Sequence, residues 1–177
     1  MRSPLSLGGL ALALVLSGCE AGLDLRTPSD AREYVRLCAL GRDDLYCEAM
    51  LPTLRAVPGP VSVIMPNTGD TERLALLTDL LVAKGLTVAA FRQDPALQAA
   101  FARANIFPVG RLTTGIHRTL DGQEHRVVCE PQDGVPDEVC QTGALRGWDK
   151  QHYLKDPVGS VYSTVGRTAG DLPFFPF

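Results

Sequence analysis

The sequence lacks any run of basic residues, and its 20 acidic residues outnumber its 17 lysines and arginines, giving a formal net charge of −3. Such a chain offers no electrostatic reason to expect nucleic-acid binding. The sequence also lacks internal repeats and long low-complexity tracts. Hydrophobic residues make up 45% and charged residues 21% of its 177 positions, so we expect a folded domain and not a disordered chain.

Sequence motifs of familiar catalytic sites are missing as well. The Gly-x-Ser-x-Gly motif of serine hydrolases does not occur, and the segment around Ser160 lacks its second glycine. The glycines and lysine of a P-loop are absent, as are a Cys-x-x-Cys redox motif and closely spaced zinc-ligand cysteines. We therefore predict no cofactor and no metal, and favour a protein that is not an enzyme.

The N-terminus has the features of an export signal. Arg2 supplies a positive charge, and positions 5–16 form an apolar segment of signal-peptide length. A membrane-spanning helix needs about 20 apolar residues, and Glu20 ends this run too early. We expect positions 1–18 to be a removable signal peptide.

The end of this segment, Leu16-Ser17-Gly18-Cys19, resembles the lipobox of bacterial lipoproteins. The resemblance covers positions 1–19 and implies that Cys19 is the first residue of the mature chain and carries diacylglycerol and fatty acid such as palmitate. It also implies an anchored protein of the bacterial cell envelope, facing the periplasm or the cell exterior, with inner and outer membranes both open. Positions 19–27 are then a tether, and the eight residues after Cys19 span at most about 28 Å. Positions 28–177 are predicted to form a single envelope domain.

Four further cysteines are typical of disulfide bonding in an oxidising compartment. Three pairings are possible. We favour Cys38–Cys47 and Cys129–Cys140, because each pair is close in sequence and flanks a turn-rich segment. Each bond would stabilise the domain by about 3 kcal/mol in the chain-entropy model.

The expected fold class is α/β or α+β, with an N-terminal helical pair at 28–57 and an α/β core at 58–177. Thr27 and Asp43 are the expected caps of the two helices, Pro52 is expected to kink or end the second, and 57–60 separates the pair from the core. The core is predicted to form one small mixed sheet from a β-α-β unit, a helix and a β-hairpin. Its expected elements are a strand at 61–65, a helix at 71–84, a strand at 86–91, a helix from Asp94, strands beginning at 106 and 159, and a hairpin at 113–130.

Asp121-Gly122 predicts the hairpin turn. The expected register sets His117 opposite Arg126 and His125 opposite Arg118, so the two histidines lie on opposite faces and share no metal. The predicted core face carries Ile116, Val127 and Cys129, and the other face carries His117, Glu124, Arg126 and Val128. His152 is distant in sequence and is assigned no role.

Three segments are candidate binding elements. Asn67, Thr68, Gly69 and Asp70 follow a predicted parallel strand, where α/β folds often bind ligands, although a helix cap is the simpler role. Four acids at 130–138 suggest calcium less well than an exposed, disulfide-closed loop. The candidate partner surface consists of Trp148, Phe174, Phe175 and Phe177, which alternatively dock into the domain's own core.

The sequence thus predicts a membrane-anchored envelope lipoprotein that acts as a non-catalytic binding or assembly module. Its expected partners are the membrane, through the lipid on Cys19, and an envelope protein. Two alternatives stay open: a hydrolase without a recognisable motif, and an inhibitor or immunity protein that presents the 130–138 loop to a hydrolase.

Overall fold

The computed structural model describes residues 30–40, 44–66, 70–131, 138–142, 145–149 and 160–164. The predictions for the signal peptide, Cys19, the tether, Asn67, Thr68, Gly69, His152 and the phenylalanines of the tail fall outside these residues. In chain order the elements are α1 (Ala31–Ala39), α2 (Leu45–Ala56), β1 (Ser62–Pro66), α3 (Asp70–Ala83), α4 (Val88–Gln93), α5 (Pro95–Ala104), β2 (Ile106–Phe107), β3 (Gly115–Arg118), β4 (Glu124–Pro131), β5 (Glu138–Thr142), β6 (Leu145–Asp149) and β7 (Ser160–Thr164). The α+β class is confirmed. Within the described ranges, no helix combines the length and the apolar character needed to cross a bilayer.

The N-terminal helical pair begins at caps that differ from those predicted. The side chain of Asp30 accepts a hydrogen bond from the amide of Glu33 at 2.9 Å, and that of Asp44 accepts one from Cys47 at 3.1 Å. The caps of α1 and α2 are therefore Asp30 and Asp44, whereas Thr27 and Asp43 were expected. Aspartate suits both positions because its carboxylate satisfies exposed amides and complements the helix dipole.

Pro52 does not end α2, which continues to Ala56. A proline inside a helix removes one hydrogen bond to the residue four positions earlier. Here both Pro52 and Glu48 are exposed, so water can solvate the carbonyl that loses its partner. The buried side of the helix, which includes Met50 and Leu54, keeps its packing.

The predicted second strand of the β-α-β unit, 86–91, is wrong. The segment instead contains α4, and Thr87 caps it by accepting a hydrogen bond from the amide of Ala90 at 3.1 Å. The preceding helix α3 ends as predicted at Gly85, whose φ of +71° favours glycine. Phe91, expected on a strand, is a fully buried core residue of α4.

The parallel partner of β1 comes from the far end of the described chain. The strands form one sheet in the order β2-β1-β7-β6-β5-β4-β3. Ser62 of β1 lies opposite Ser160 of β7 in the parallel pair, and opposite Phe107 of β2 in an antiparallel pair. The remaining neighbours are antiparallel, so the mixed sheet is confirmed, while its parallel pair joins the first and the last strand.

The main hydrophobic core lies among the helices and β1. Tyr46 of α2 and Phe91 of α4 both pack edge-on against Phe101 of α5, with ring centroids 4.9 and 5.7 Å away. The hydroxyl of Tyr46 donates to the carbonyl of Ile64 at 2.8 Å, which ties α2 to β1. Because Val35 of α1 belongs to the same buried cluster, the helical pair shares its core with the rest of the domain.

The hairpin of β3 and β4 adopts a register one residue away from the predicted one. His117 lies opposite His125, and Ile116 lies opposite Arg126. The two histidines are therefore on the same face as Val127, which is buried, while Ile116 is 70% exposed. The expected core position of Ile116 and the expected separation of the histidines are both wrong.

The two ends of the sheet approach each other. The amide of Leu120, just after β3, donates to the carbonyl of Ile106 in β2 at 2.9 Å. Phe107 of β2 packs edge-on against His117 and His125, with ring centroids 6.5 and 5.7 Å apart. Phe107 also belongs to a second buried cluster, which consists of Ile64, Phe107, Leu112, Val127 and Cys140.

Candidate ligand groove between the first two helices

A groove of about 310 Å³ runs between α1 and α2. Its lining residues are Arg32, Glu33 and Arg36 from α1, and Leu51, Leu54 and Arg55 from α2. Two features of the fold fix the relative position of the walls. The Cys38–Cys47 disulfide bonds α1 to α2, and Arg32 hydrogen-bonds across to the end of α2.

Arg32 is held in place by backbone carbonyls in the last turn of α2 and in the segment that follows it. Its Nε donates to Leu54 O at 3.2 Å, and its Nη2 donates to Val57 O at 2.7 Å and also to Gly59 O. Carbonyls at a helix C-terminus carry partial negative charge, so a guanidinium is well suited to them. Arg32 therefore contributes a fixed positive charge to one wall of the groove.

The other two arginines are more exposed. Arg36 Nη2 lies 3.3 Å from Glu33 Oε1, one turn earlier in α1, and the Arg36 side chain is 49% exposed. Arg55 is exposed, and its guanidinium makes no hydrogen bond or ion pair within the described part of the chain. An ion pair at this exposure contributes about 1 kcal/mol or less, so Glu33 leaves Arg36 free to exchange partners.

Apolar surface lies beside this charge. Leu54 is buried and Leu51 is half-buried, and both belong to or pack against the main core. Three arginines and one glutamate give the lining residues a formal charge of +2. Guanidinium groups present paired donors that match the geometry of carboxylate and phosphate oxygens. The groove is therefore suited to an anionic group attached to an apolar or neutral body.

The predicted ligand loop is only partly described. Asp70 is the first residue of α3, and β1, which precedes the loop, does have a parallel neighbour. Trp148, from the predicted partner surface, lies on β6, where its backbone pairs with Val139 and Ser163.

The histidines that were expected to lie apart are brought to one face of the hairpin. The ring of His117 is hydrogen-bonded through Nε2 to the carbonyl of Thr113 at 2.8 Å. Burial lowers the pKa of His125, although the charge of Asp121 opposes this shift. Both histidines are half-buried, and their rings pack against Phe107 of the second core cluster.

A cluster of possible metal ligands lies at the start of α2. One ligand atom each from Cys38, Asp44 and Cys47 lies within 4.8 Å of the others. The two sulfurs are joined as a disulfide, however, and the Asp44 carboxylate already pairs with Arg73 at 2.7 Å. This donor set does not fit a cation.

The second disulfide joins Cys129 and Cys140, which lie opposite each other on β4 and β5, so both bonds join the cysteines expected to pair.

The sequence analysis missed the groove because each wall lies on a different helix. Arg32 and Arg36 are four residues apart, a spacing that places both on one side of α1 and was available from the sequence. The position of Arg55 next to them depends on how α2 packs against α1.

Searches for related molecules gave no match to a protein-family model, to a curated protein or to a solved structure.

Proposed function

We propose that this protein is a lipid-anchored envelope protein whose domain acts as a non-catalytic binding module, with the groove between α1 and α2 as its docking site for an acidic component of the envelope. The two disulfide bonds indicate an oxidising environment outside the cytoplasm. The lipobox-like segment ending at Cys19 supports the anchor.

The observation that carries the docking site is the concentration of arginine in the groove of a chain whose formal net charge is −3. Arg32 is fixed by carbonyls in and just after the last turn of α2, while Arg36 and Arg55 remain exposed to solvent. Because Arg32 is already ordered before binding, only Arg36 and Arg55 lose side-chain freedom when an anion binds. The half-buried Leu51 adds apolar contact next to the charge.

In-cell photo-crosslinking tests this proposal directly. A benzophenone amino acid replaces Leu51 in the groove or, as the matched control, Val82 on α3, which is 64% exposed and is not among the lining residues. We expect an adduct of defined mass from the groove position and none of that mass from Val82. Equal adducts at both positions, or none at Leu51, would contradict a docking site in the groove.

Charge substitutions provide the second arm of the test. Arg36→Gln combined with Arg55→Gln should reduce the Leu51 adduct, because it removes the exposed charges without touching the carbonyl contacts of Arg32. Arg92→Gln, at an exposed arginine of α4 outside the groove, is the control and should leave the adduct unchanged. An adduct that persists in the double variant would show that the groove charges do not mediate docking.

A further inference from the structure

We infer that the occupant of the groove is the phosphate headgroup of an anionic phospholipid, at the surface of the same membrane that the lipid on Cys19 enters. This inference rests on the proposed function, since it assumes both the anchor and the docking role of the groove. It goes further by naming the chemistry of the bound component.

The groove combines the donors that a phosphodiester requires with a surface for its neutral part. Arg36 and Arg55 are exposed and line the groove from α1 and α2 respectively, and their guanidinium groups carry the donors that bind phosphate oxygens. The half-buried Leu51 lies beside them, where the glycerol and the first methylenes of a lipid would pack. The volume of about 310 Å³ lies at the lower end of the range for small-molecule sites and suits a headgroup better than a whole lipid.

The position of the groove in the chain favours a membrane ligand. Arg32, the first lining residue, follows Cys19 by 13 positions in the sequence, so at most about 45 Å of chain separates the lipid from the groove. This length allows α1 to lie against the bilayer, within the roughly 8–10 Å over which surface charge acts at physiological salt. The wall formed by α1 is thus the part of the described domain nearest in sequence to the anchor.

Anchoring also favours a headgroup over a diffusing anion. A ligand in the membrane that holds the protein is met at a high effective concentration, so a weak contact is enough for occupancy. Free phosphate offers the same oxygens without this advantage. The net charge of −3 opposes general attraction of the chain to an anionic surface, and the groove therefore sets which face turns towards the bilayer.

Arginine footprinting of the full lipidated protein in bilayer nanodiscs tests the inference. Phenylglyoxal modifies accessible guanidinium groups, and mass spectrometry gives the rate at each arginine. We expect Arg36 and Arg55 to react about fivefold more slowly in bilayers containing phosphatidylglycerol than in pure phosphatidylcholine, as a contact of about 1 kcal/mol per arginine implies. Arg92 and Arg126, which are exposed outside the groove, should change little.

Three controls make the outcome decisive. Inorganic phosphate at millimolar concentration, added to phosphatidylcholine nanodiscs, should give no comparable protection, and equal protection would overturn the headgroup assignment. Arg55→Glu should abolish protection of Arg36, whereas Arg92→Glu should preserve it. Equal slowing at Arg92 and in the groove would show general attraction to the surface and would also overturn the inference.

The footprint and the in-cell crosslink fail in different ways. A protein adduct at Leu51 together with no phosphatidylglycerol-dependent protection would retain the docking function and reject the lipid as occupant. A phospholipid adduct at Leu51 together with protection of Arg36 and Arg55 would support both. The absence of both signals would reject the docking site itself.

Discussion

Asp44 and Arg73 form a buried ion pair that joins the first turn of α2 to α3. Arg73 Nη2 lies 2.7 Å from Asp44 Oδ2, and Arg73 Nε donates to the same oxygen at 2.8 Å. The other carboxylate oxygen accepts the capping hydrogen bond from the amide of Cys47. One buried side chain thus caps α2 and neutralises a charge from another helix, next to the disulfide that fixes the groove.

Replacing Asp44 should be among the most damaging single substitutions in this domain. Asp44→Ala removes both the cap of α2 and the carboxylate that pairs with the buried Arg73 guanidinium, which costs about 3–5 kcal/mol of unfolding free energy. Urea denaturation at neutral pH measures this loss. Glu48→Ala is the matched control, because Glu48 is an exposed acid in the first turn of the same helix and should cost less than about 1 kcal/mol. Equal effects of the two substitutions would contradict the buried pair.

The phenol of Tyr46 should resist ionisation while the protein is folded. Burial raises its pKa well above the ordinary value of 10.0, and the charge of Asp44 raises it further, although Arg73 acts in the opposite direction. As the pH rises above about 10, the unfolded state releases the Tyr46 proton before the folded state does, because the folded pKa is raised. The contribution of Tyr46 to stability is therefore complete below about pH 10 and is lost as the pH rises towards the folded pKa. An absorbance titration should show that Tyr46 ionises only when the protein unfolds.

Tyr46→Phe separates the titration from the packing. At neutral pH the variant should lose about 1–3 kcal/mol, because the carbonyl of Ile64 keeps its burial but loses its hydroxyl donor. Above pH 10 its stability should fall less steeply than that of the unmodified protein. An unchanged alkaline slope would show that Tyr46 ionises in the folded state.

His125 should make the domain less stable in mild acid. Burial lowers its pKa from the ordinary 6.5, with Asp121 opposing the shift, so the unfolded state binds a proton more readily than the folded state. Its contribution to stability is therefore present above about pH 6.5 and declines as the pH falls through the lowered folded pKa. NMR titration of the imidazole protons measures this pKa directly.

Two variants identify the source of that acid sensitivity. His125→Gln should flatten the dependence of unfolding free energy on pH between neutrality and mild acid, while His117→Gln serves as the control on the facing strand. Asp121→Asn should lower the pKa of His125 further, because it removes the charge that favours the imidazolium. A His125 pKa at or above 6.5 would contradict the burial of this ring.

Local signals in the sequence predicted most helices correctly. Asp94-Pro95 marks the start of α5, and the Asp94 carboxylate accepts hydrogen bonds from the amides of Ala96 and Leu97 at 2.8 and 3.2 Å. Gly85 marks the end of α3 in the same way. These signals work because capping depends on residues within one helical turn.

The failures concern segments whose local signals conflict or whose partners are distant. Thr87 and Val88 favour a strand, but Thr87 is also a good helix cap and Ala89 and Ala90 are strong helix formers, so the segment forms α4. The pairing of β1 with β7 has no local signal in the sequence. Ser62 and Ser160 lie opposite each other in the sheet but are far apart in the sequence.

Strands β5 and β6 were missed although a signal for them exists. Only positions 143 and 144, Gly-Ala, separate Thr142 from Leu145, and a two-residue connection that starts with glycine is typical of a β-hairpin. The groove had a weaker signal, because the spacing of Arg32 and Arg36 places them on one helix side without indicating what faces them. Such a site depends on helix packing, which the residue pattern of α1 alone does not determine.

The one-residue difference in the β3–β4 register has a clear experimental signature. In the structure Val127 is buried and Ile116 is 70% exposed, whereas the register predicted from the turn places both in the core. Val127→Asp should therefore cost several kcal/mol, since it buries a carboxylate in the cluster around Phe107. Ile116→Asp should change the unfolding free energy by about 0.5 kcal/mol or less, as is usual for exposed positions. Thermal and urea denaturation of the two variants distinguish the registers, and a large loss from Ile116→Asp would favour the one in which both side chains face the core.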